Sequence, residues 1–196
     1  MSSTALVTPV VSRDDKTYLG FWVYLMTDTI LFATLFATYA VLKNSTYGGP
    51  AGHDIFDMPY VLAETLLLLL SSFTCGLAII GLQRRKMAWA TTLLGATFVL
   101  GLAFVTMELT EFAHLVADGD SWQRSAFLSS FFTLVGTHGL HISFGLLWLA
   151  VLGVRLARGG FTASTTRQLT LFSMFWHFLD VIWVFIFTIV YLMGIA

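Results

Sequence analysis

Apolar residues dominate five long stretches of this chain, and short polar segments separate them. The stretches cover residues 18–42, 60–82, 88–115, 126–154 and 169–194. A helix needs about 20 mainly apolar residues to cross the hydrocarbon core of a bilayer, and each stretch meets that length. The pattern therefore predicts an all-α integral membrane bundle of five transmembrane helices, in which residues 18–196 form a single domain.

The composition also favours a membrane protein. Hydrophobic residues make up 57% of the chain, charged residues only 11%, and the mean hydropathy is +0.83. A soluble domain carries about 25% charged residues. The net charge of −1 gives no indication of a nucleic-acid partner. The one cysteine, Cys75, excludes a disulfide framework or a cysteine-based metal site within the chain.

The distribution of positive charge predicts the orientation. Residues 1–17 are polar, and the first apolar stretch is too long for a signal peptide, so we expect a cytoplasmic N-terminal segment and a retained first helix. By the positive-inside rule the N-terminus is cytoplasmic and the C-terminus periplasmic, in a bacterial inner membrane. Eight of the ten Lys and Arg residues lie on the cytoplasmic side: Arg13, Lys16, Arg84, Arg85, Lys86, Arg155, Arg158 and Arg167. Aromatic residues near span ends, where interfacial belts are expected, are Trp22, Trp89, Trp122 and Tyr191.

Ionisable residues inside the spans are the candidates for a functional site. An ionised group near the bilayer centre costs at least ~2.5–3.5 kcal/mol, so such groups face other helices, water or a partner subunit. They are Asp28, Glu64, Glu108, Glu111, His138, His141, His177 and Asp180, with His114 at the outer end of span three.

Six of these residues form three pairs at i,i+3 spacing, which places both members on one helix face. We expect that the pairs could meet inside the bundle, and that a carboxylate beside an imidazole holds its N–H. The pairs are Glu108 with Glu111, His138 with His141, and His177 with Asp180.

Each candidate has a structural and a functional interpretation. His138 and His141 fit metal or haem ligation, but a structural hydrogen-bonded pair is favoured because the chain lacks a histidine-rich ligand set. Glu108 and Glu111 fit a proton relay, although a structural or lipid-headgroup role is favoured near the outer interface.

The two remaining carboxylates differ in depth. Glu64 lies close to the start of span two and is interpreted as an interfacial or first-turn carboxylate. Asp28 lies two or three turns inside span one, where a functional or lipid-site role and a buried structural hydrogen bond are equally supported.

Three motifs resemble those of a known family. Span four reads Gly-Thr-His-Gly-Leu-His over 136–141, span five Trp-His-Phe-Leu-Asp-Val-Ile-Trp over 176–183, and span three Glu-Leu-Thr-Glu over 108–111. These motifs resemble signatures of the third subunit of haem-copper respiratory oxidases. Residues 21–28 and 32–42 are similar to the quinol oxidase branch of cytochrome bo type. Five spans fit this branch, because cytochrome c oxidase third subunits of the family carry two further N-terminal helices.

The resemblance implies a non-catalytic accessory subunit of a proton-pumping terminal ubiquinol oxidase, which reduces dioxygen to water in aerobic respiration. It implies no haem or copper in this chain. Those cofactors are expected in the large catalytic subunit I, with subunit II, a small subunit IV and membrane phospholipids as further partners. The expected contributions are assembly, stability, lipid binding and proton uptake. Asp28 stands where cytochrome c oxidase relatives carry a carbodiimide-reactive glutamate.

Two alternatives remain open at this point. The first is the accessory subunit of a related aa3-type quinol oxidase or nitric oxide reductase. The second, from another class, is a stand-alone proton-coupled carrier. Against the carrier, the sequence shows no inverted repeat and no pair of Gly/Pro-broken helices.

Overall fold

A computed structural model describes residues 13–49, 55, 57–160 and 162–195 of the chain. Five of its helices are long and apolar enough to cross a membrane, which confirms the five predicted spans. They are α1 Arg13–Leu42, α2 Met58–Gln83, α3 Met87–Ala117, α4 Ala126–Gly159 and α5 Ala163–Ile186; a π-helical segment Phe187–Leu192 and the short α6 Met193–Ile195 follow.

The predicted boundaries differ most from the observed ones at three helix ends: α1 begins five residues earlier than predicted, α4 ends five residues later and α5 begins six residues earlier. α1 begins at Arg13, inside the segment expected to be a polar N-terminal extension, because charged residues are compatible with a helix that projects beyond the hydrocarbon core. Residues 1–12 of that predicted segment lie outside the described residues.

Local capping residues determine where α4 and α5 begin. The Ser125 side chain accepts a hydrogen bond from the Leu128 N–H at 3.1 Å. Thr162 caps α5 in the same way through the Thr165 N–H at 3.2 Å. A hydroxyl at the N-cap satisfies an N–H group that has no partner within the helix. The cap at Ser125 agrees with the start of α4 predicted at residue 126, whereas α5 begins at Ala163, six residues before its predicted start.

Four helices form a closed ring and the fifth lies outside it. α2 packs most extensively on α3, α4 packs on α5, and contacts of α2 with α5 and of α3 with α4 complete the ring. α1 packs against α4 and, less extensively, against α5. The seam between α3 and α4 is much less extensively packed than that between α2 and α3.

Trp176 is the centre of the ring and is completely buried. Its indole N–H donates to Ser71 Oγ at 3.2 Å, and the Ser71 hydroxyl donates to the Thr97 carbonyl at 3.1 Å. The ring fits because Gly101 and Gly145 lack side chains: a Cβ at either position would come within 2.9 Å of indole carbons. The fold thus depends on small residues that let α3, α4 and α5 approach one large aromatic group.

The π-helical segment at the end of α5 places Tyr191 inside the bundle. Tyr191 is completely buried, so the expectation that it belongs to an interfacial aromatic belt is wrong. A π-helical turn adds residues per turn and changes which side chains face the core. Trp22, Trp89 and Trp122 are about half exposed, as residues in such a belt are.

Candidate functional site

Acidic side chains from α2 and α3 converge inside the ring. Glu64 is completely buried, Glu108 is 3% exposed, and both lie close enough to Glu111 for their charges to interact. Tyr191 donates a hydrogen bond to Glu111 Oε2 at 3.1 Å. Within the described part of the chain, neither oxygen of Glu64 nor Oε1 of Glu108 has a hydrogen-bond partner. Glu64 is therefore a bundle-interior group, while its interpretation as an interfacial or first-turn carboxylate concerns its depth in the bilayer and stays a prediction.

Glu108 occupies space that a glycine on α4 provides. A Cβ at Gly139 would lie 2.6 Å from Glu108 Oε1 and 2.7 Å from the carboxyl carbon, with Oε2 closer still. Gly139 of the span-four motif and Glu108 of the span-three motif therefore pack directly against each other across the α3/α4 seam. This pairing explains one glycine of the span-four motif by packing alone.

His138 lies in an aromatic cage. Its ring stacks on Trp183 with centroids 5.2 Å apart, and Phe104 and Phe32 meet it edge-on at 6.1 Å and 6.2 Å. The side chain is completely buried, and neither ring nitrogen has a hydrogen-bond partner among residues that the structure describes. The predicted hydrogen-bonded pair of His138 and His141 is wrong, because the His138 nitrogens have no partner among the described residues and His141 Nδ1 bonds to the Thr137 carbonyl.

His141 connects α4 to the peripheral helix α1. Its Nδ1–H donates to the Thr137 carbonyl at 2.7 Å, and its Nε2 lies 3.8 Å from Asp28 Oδ2. Asp28 is buried, while the neighbouring hydroxyls of Thr27 and Thr29 bond to backbone carbonyls of their own helix. The buried hydrogen bond expected for Asp28 is not formed with this imidazole, because Oδ2 has no hydrogen-bond partner among the described residues; the two side chains are neighbours between α1 and α4.

The third predicted pair lies on the α2/α5 side of the bundle. His177 Nδ1 and Ser72 Oγ share a hydrogen bond of 2.6 Å, and Asp180 interacts with both residues. The direct partner of the imidazole is thus a serine on α2 rather than the carboxylate one turn away. These groups border a groove of about 370 Å³ that also contains Gly76.

The eight candidate residues consequently form separate sites rather than one. The glutamates meet Tyr191 in the ring, His141 meets Asp28 beside α1, and His177 with Asp180 meets Ser72 on the opposite side. His114 is exposed. In the described ranges, no group of three or more His, Cys, Asp or Glu is arranged to hold a metal ion.

Sequence reasoning missed the uncharged partners. Ser72, Tyr191, and Thr65, which accepts from the Trp183 indole N–H at 3.0 Å, give no signal in an apolar span. These polar side chains can form hydrogen bonds between helices and can bind protons inside the bundle. Most of these side chains are buried between helices, whereas Glu108, His177 and Asp180 also border grooves.

The fold and these interior polar groups define a multi-pass helical membrane protein whose ionisable side chains connect neighbouring helices. The family model described as cytochrome c oxidase subunit III matches residues 7–195. The chain therefore belongs to the cytochrome c oxidase subunit III family, which confirms the resemblance found in its motifs. Subunits of this family are non-catalytic and carry no redox cofactor.

Three relatives are similar to this chain over nearly its whole length. Cytochrome bo(3) ubiquinol oxidase subunit 3 of Pseudomonas aeruginosa is 56% identical over 179 residues, covering 91% of this chain and 86% of that protein. Quinol oxidase subunit 3 of Bacillus subtilis is 45% identical over 178 residues, with 91% and 87% covered. Cytochrome c oxidase subunit 3 of Bacillus sp. strain PS3 is 46% identical over 179 residues, with 91% and 86% covered.

The number of spans does not by itself separate the quinol and cytochrome c branches. The 179 matched residues are 86% of the Bacillus sp. strain PS3 subunit, so that protein is about 208 residues long. The unmatched remainder is too short for two further spans of about 20 residues with their connections. The expectation that cytochrome c oxidase third subunits carry two additional helices does not hold for that relative.

Proposed function

We propose that this chain is the accessory third subunit of a proton-pumping terminal ubiquinol oxidase of bo type. The complex oxidises ubiquinol and reduces dioxygen to water in aerobic respiration, while this chain performs no redox step. The observation that carries the proposal is the 56% identity, over 91% of the chain, to a protein named cytochrome bo(3) ubiquinol oxidase subunit 3. Its partners are a large subunit I with the haems and copper, a subunit II and a small subunit IV.

The test is purification of the complex in mild detergent through a tag on this chain. The expected result is a coloured complex with a haem-bearing large subunit and quinol-driven oxygen uptake. A single colourless protein that is stable and monodisperse would overturn the proposal.

A second candidate is a cytochrome c oxidase of the same family. The identities to the quinol oxidase subunit of Bacillus subtilis and the cytochrome c oxidase subunit of Bacillus sp. strain PS3, 45% and 46%, are nearly equal, so these two relatives do not discriminate between the two functions. The purified complex distinguishes the two functions directly. Oxygen uptake with reduced cytochrome c but not with ubiquinol identifies the second candidate.

The proposed orientation places the N-terminus and the α2–α3 and α4–α5 connections in the cytoplasm. It is supported by the eight cationic residues in these segments against Lys43 and Arg124 on the other side. Alkaline phosphatase fused after Gln123 should be active, whereas the same fusion after Lys86 should be inactive. Activity at Lys86 would reverse the assigned orientation.

Lipid binding is supported by an aromatic groove of about 460 Å³ beside α1 and α4, which includes Phe21, Phe144 and Trp148. Phospholipid acyl chains would fill this apolar groove, because the side chains that line it would lose van der Waals contacts if the groove stayed empty. Native mass spectrometry of the complex should show bound phospholipid that decreases in Trp148→Ala. Unchanged lipid content in that variant would contradict this site.

Asp28 is proposed to support proton uptake from the cytoplasmic side and not to be essential for turnover. Its ion-pair distance to His141 is compatible with a structural contact between α1 and α4. Asp28→Asn should therefore leave most of the oxygen consumption of the assembled complex. Near-total loss of oxygen consumption in a fully assembled variant would contradict this expectation.

A further inference from the structure

The seam between α3 and α4 contains two open grooves. The first, which we name the Glu108 groove, has a volume of about 420 Å³ and is bordered by Glu108, Gly136, Leu140 and Ser143, among others. The second, the Gly153 groove, has about 480 Å³ and lies further along the same seam, where Gly153 is one of its lining residues. Together they extend along most of the length of both helices.

Small residues recur along α4 at the spacing of a helix–helix contact. Positions 136, 139, 143, 146, 150, 153 and 157 alternate by three and four residues, and six of the seven are Gly, Ala or Ser. Leu146 is the exception, and it packs where α3 has Gly101. Rows of small residues allow the backbones of membrane helices to approach closely.

Packing within this chain uses only part of that row. Gly139 receives the Glu108 carboxyl, but a Cβ at Gly153 would meet no heavy atom within 4 Å. The same is true of Gly95, which borders the Gly153 groove from α3. Gly95 and Gly153 therefore leave room for another molecule to pack against the two helix backbones.

Glu108 supplies an independent observation in the first groove. It is 3% exposed, it borders the groove, and its Oε1 has no hydrogen-bond partner among the described residues. It lies six residues from the middle of α3, about 9 Å along the axis, inside the hydrocarbon core of about 15 Å half-thickness. A carboxyl at that depth requires a hydrogen-bond donor, because water is excluded there.

We propose that the α3/α4 seam seats a transmembrane helix of a neighbouring subunit, whose donor side chain bonds to Glu108. The proposal rests on the membership of this chain in an oxidase complex. An acyl chain has no donor, and lipid headgroups lie outside the hydrocarbon core. A quinol ring would offer a donor but would occupy the Glu108 groove alone, leaving the open glycines of the Gly153 groove unused. A transmembrane helix with a polar side chain would donate to Glu108 in the first groove and pack against the open glycines of the second.

The first experiment is photo-cross-linking in the purified complex. The photoreactive residue p-benzoylphenylalanine replaces Leu140, which is 73% exposed at the Glu108 groove, or Ala150 at the Gly153 groove. Both positions should link to the same membrane subunit. The proposed helix contact would be overturned if both positions gave lipid adducts, a quinol adduct or no adduct. This outcome counts only in a complex that retains haem and quinol-driven oxygen uptake. A chain that purifies alone and colourless would instead overturn the proposed function.

The second experiment fills the groove without disturbing this chain. Gly153→Phe places a ring in open space, and Gly20→Phe is the matched control because a Cβ there also meets nothing within 4 Å. Gly153→Phe should reduce the cross-linked subunit in the purified complex by about tenfold or more, the equivalent of one or two lost interhelical contacts. Gly20→Phe should not. Equal retention in both variants would overturn the proposal.

The donor contact is tested separately with two substitutions of Glu108. Glu108→Leu should lower retention of that subunit about three- to tenfold, the loss of one hydrogen bond between membrane helices. Glu108→Gln keeps an acceptor oxygen and should retain the subunit. The same retention in Glu108→Leu and Glu108→Gln would show that no donor bonds to this side chain.

Discussion

Gly139→Ala should destabilise this chain because of one specific collision. The added Cβ would lie 2.7 Å from the carboxyl carbon of Glu108, whereas ordinary contact begins near 3.4 Å. Glu108 is buried against α4, so its carboxyl can avoid the collision only by moving from its observed position into the Glu108 groove. Overpacking of this kind costs about 1–3 kcal/mol. The matched control is Gly136→Ala, one turn earlier, whose Cβ would meet only a Phe112 ring carbon at 3.6 Å.

The assay uses the single cysteine as a reporter. Cys75 is completely buried in the core, so a maleimide reaches it only when the chain opens. Labelling is measured in the purified complex, and the chain is then separated on a denaturing gel. A penalty of 1–3 kcal/mol corresponds to labelling about 5- to 150-fold faster when opening is in rapid equilibrium. Gly136→Ala should label at or below the wild-type rate, because alanine favours a helix by up to about 1 kcal/mol over glycine.

A double-mutant cycle attributes the effect to the collision. Removing the carboxyl with Glu108→Ala also removes the atoms that Gly139→Ala strikes. In that background Gly139→Ala should have no penalty, so that the coupling energy equals the full 1–3 kcal/mol. If Gly139→Ala labels like Gly136→Ala, or if its penalty persists without the carboxyl, the packing argument is incorrect.

The same labelling assay tests two hydrogen bonds between helices. Tyr191→Phe removes the donor to Glu111 at 3.1 Å and should speed labelling about three- to fifteenfold, whereas an unchanged rate would mean that this bond does not stabilise the bundle. Trp183→Phe removes the donor to Thr65 at 3.0 Å and also part of the ring that stacks on His138, so it should speed labelling more than Tyr191→Phe, with Trp22→Phe on the exposed surface as the control without an effect. An equal response of the two tryptophan variants would contradict the assignment.

The number and position of the spans could be predicted because a membrane helix is recognised by the length and hydropathy of one continuous stretch of sequence. Residues 60–82, for example, are long and apolar enough whatever they pack against, and the structure has α2 over Met58–Gln83. The start of α4 was predicted correctly at residue 126, whereas the start of α5 required the capping hydroxyl of Thr162, which is visible in the sequence only once a helix start is assumed.

The partners of the polar residues could not be predicted for a physical reason. A soluble helix reveals its buried face by its polar opposite face, but these helices are apolar on all sides, so their rotation is not encoded in hydropathy. His177 thus had an apparent partner in Asp180, one turn away, while its direct partner Ser72 lies on α2. Tyr191 was misassigned to the interface because the π-helical turn that directs it inward has no recognised sequence signal.

The position of α1 outside the ring has a consequence for biogenesis. α1 ends at Leu42, but α4, its principal neighbour, starts only at Ala126, so 83 residues separate the two in synthesis. At about 5–20 residues per second, the first helix waits in the bilayer for roughly 4–17 seconds. During that interval Asp28 has no His141 beside it, while the α2–α3 hairpin can already form. The first helix must therefore remain inserted with an unsatisfied carboxyl, held in the bilayer by its own apolar side chains.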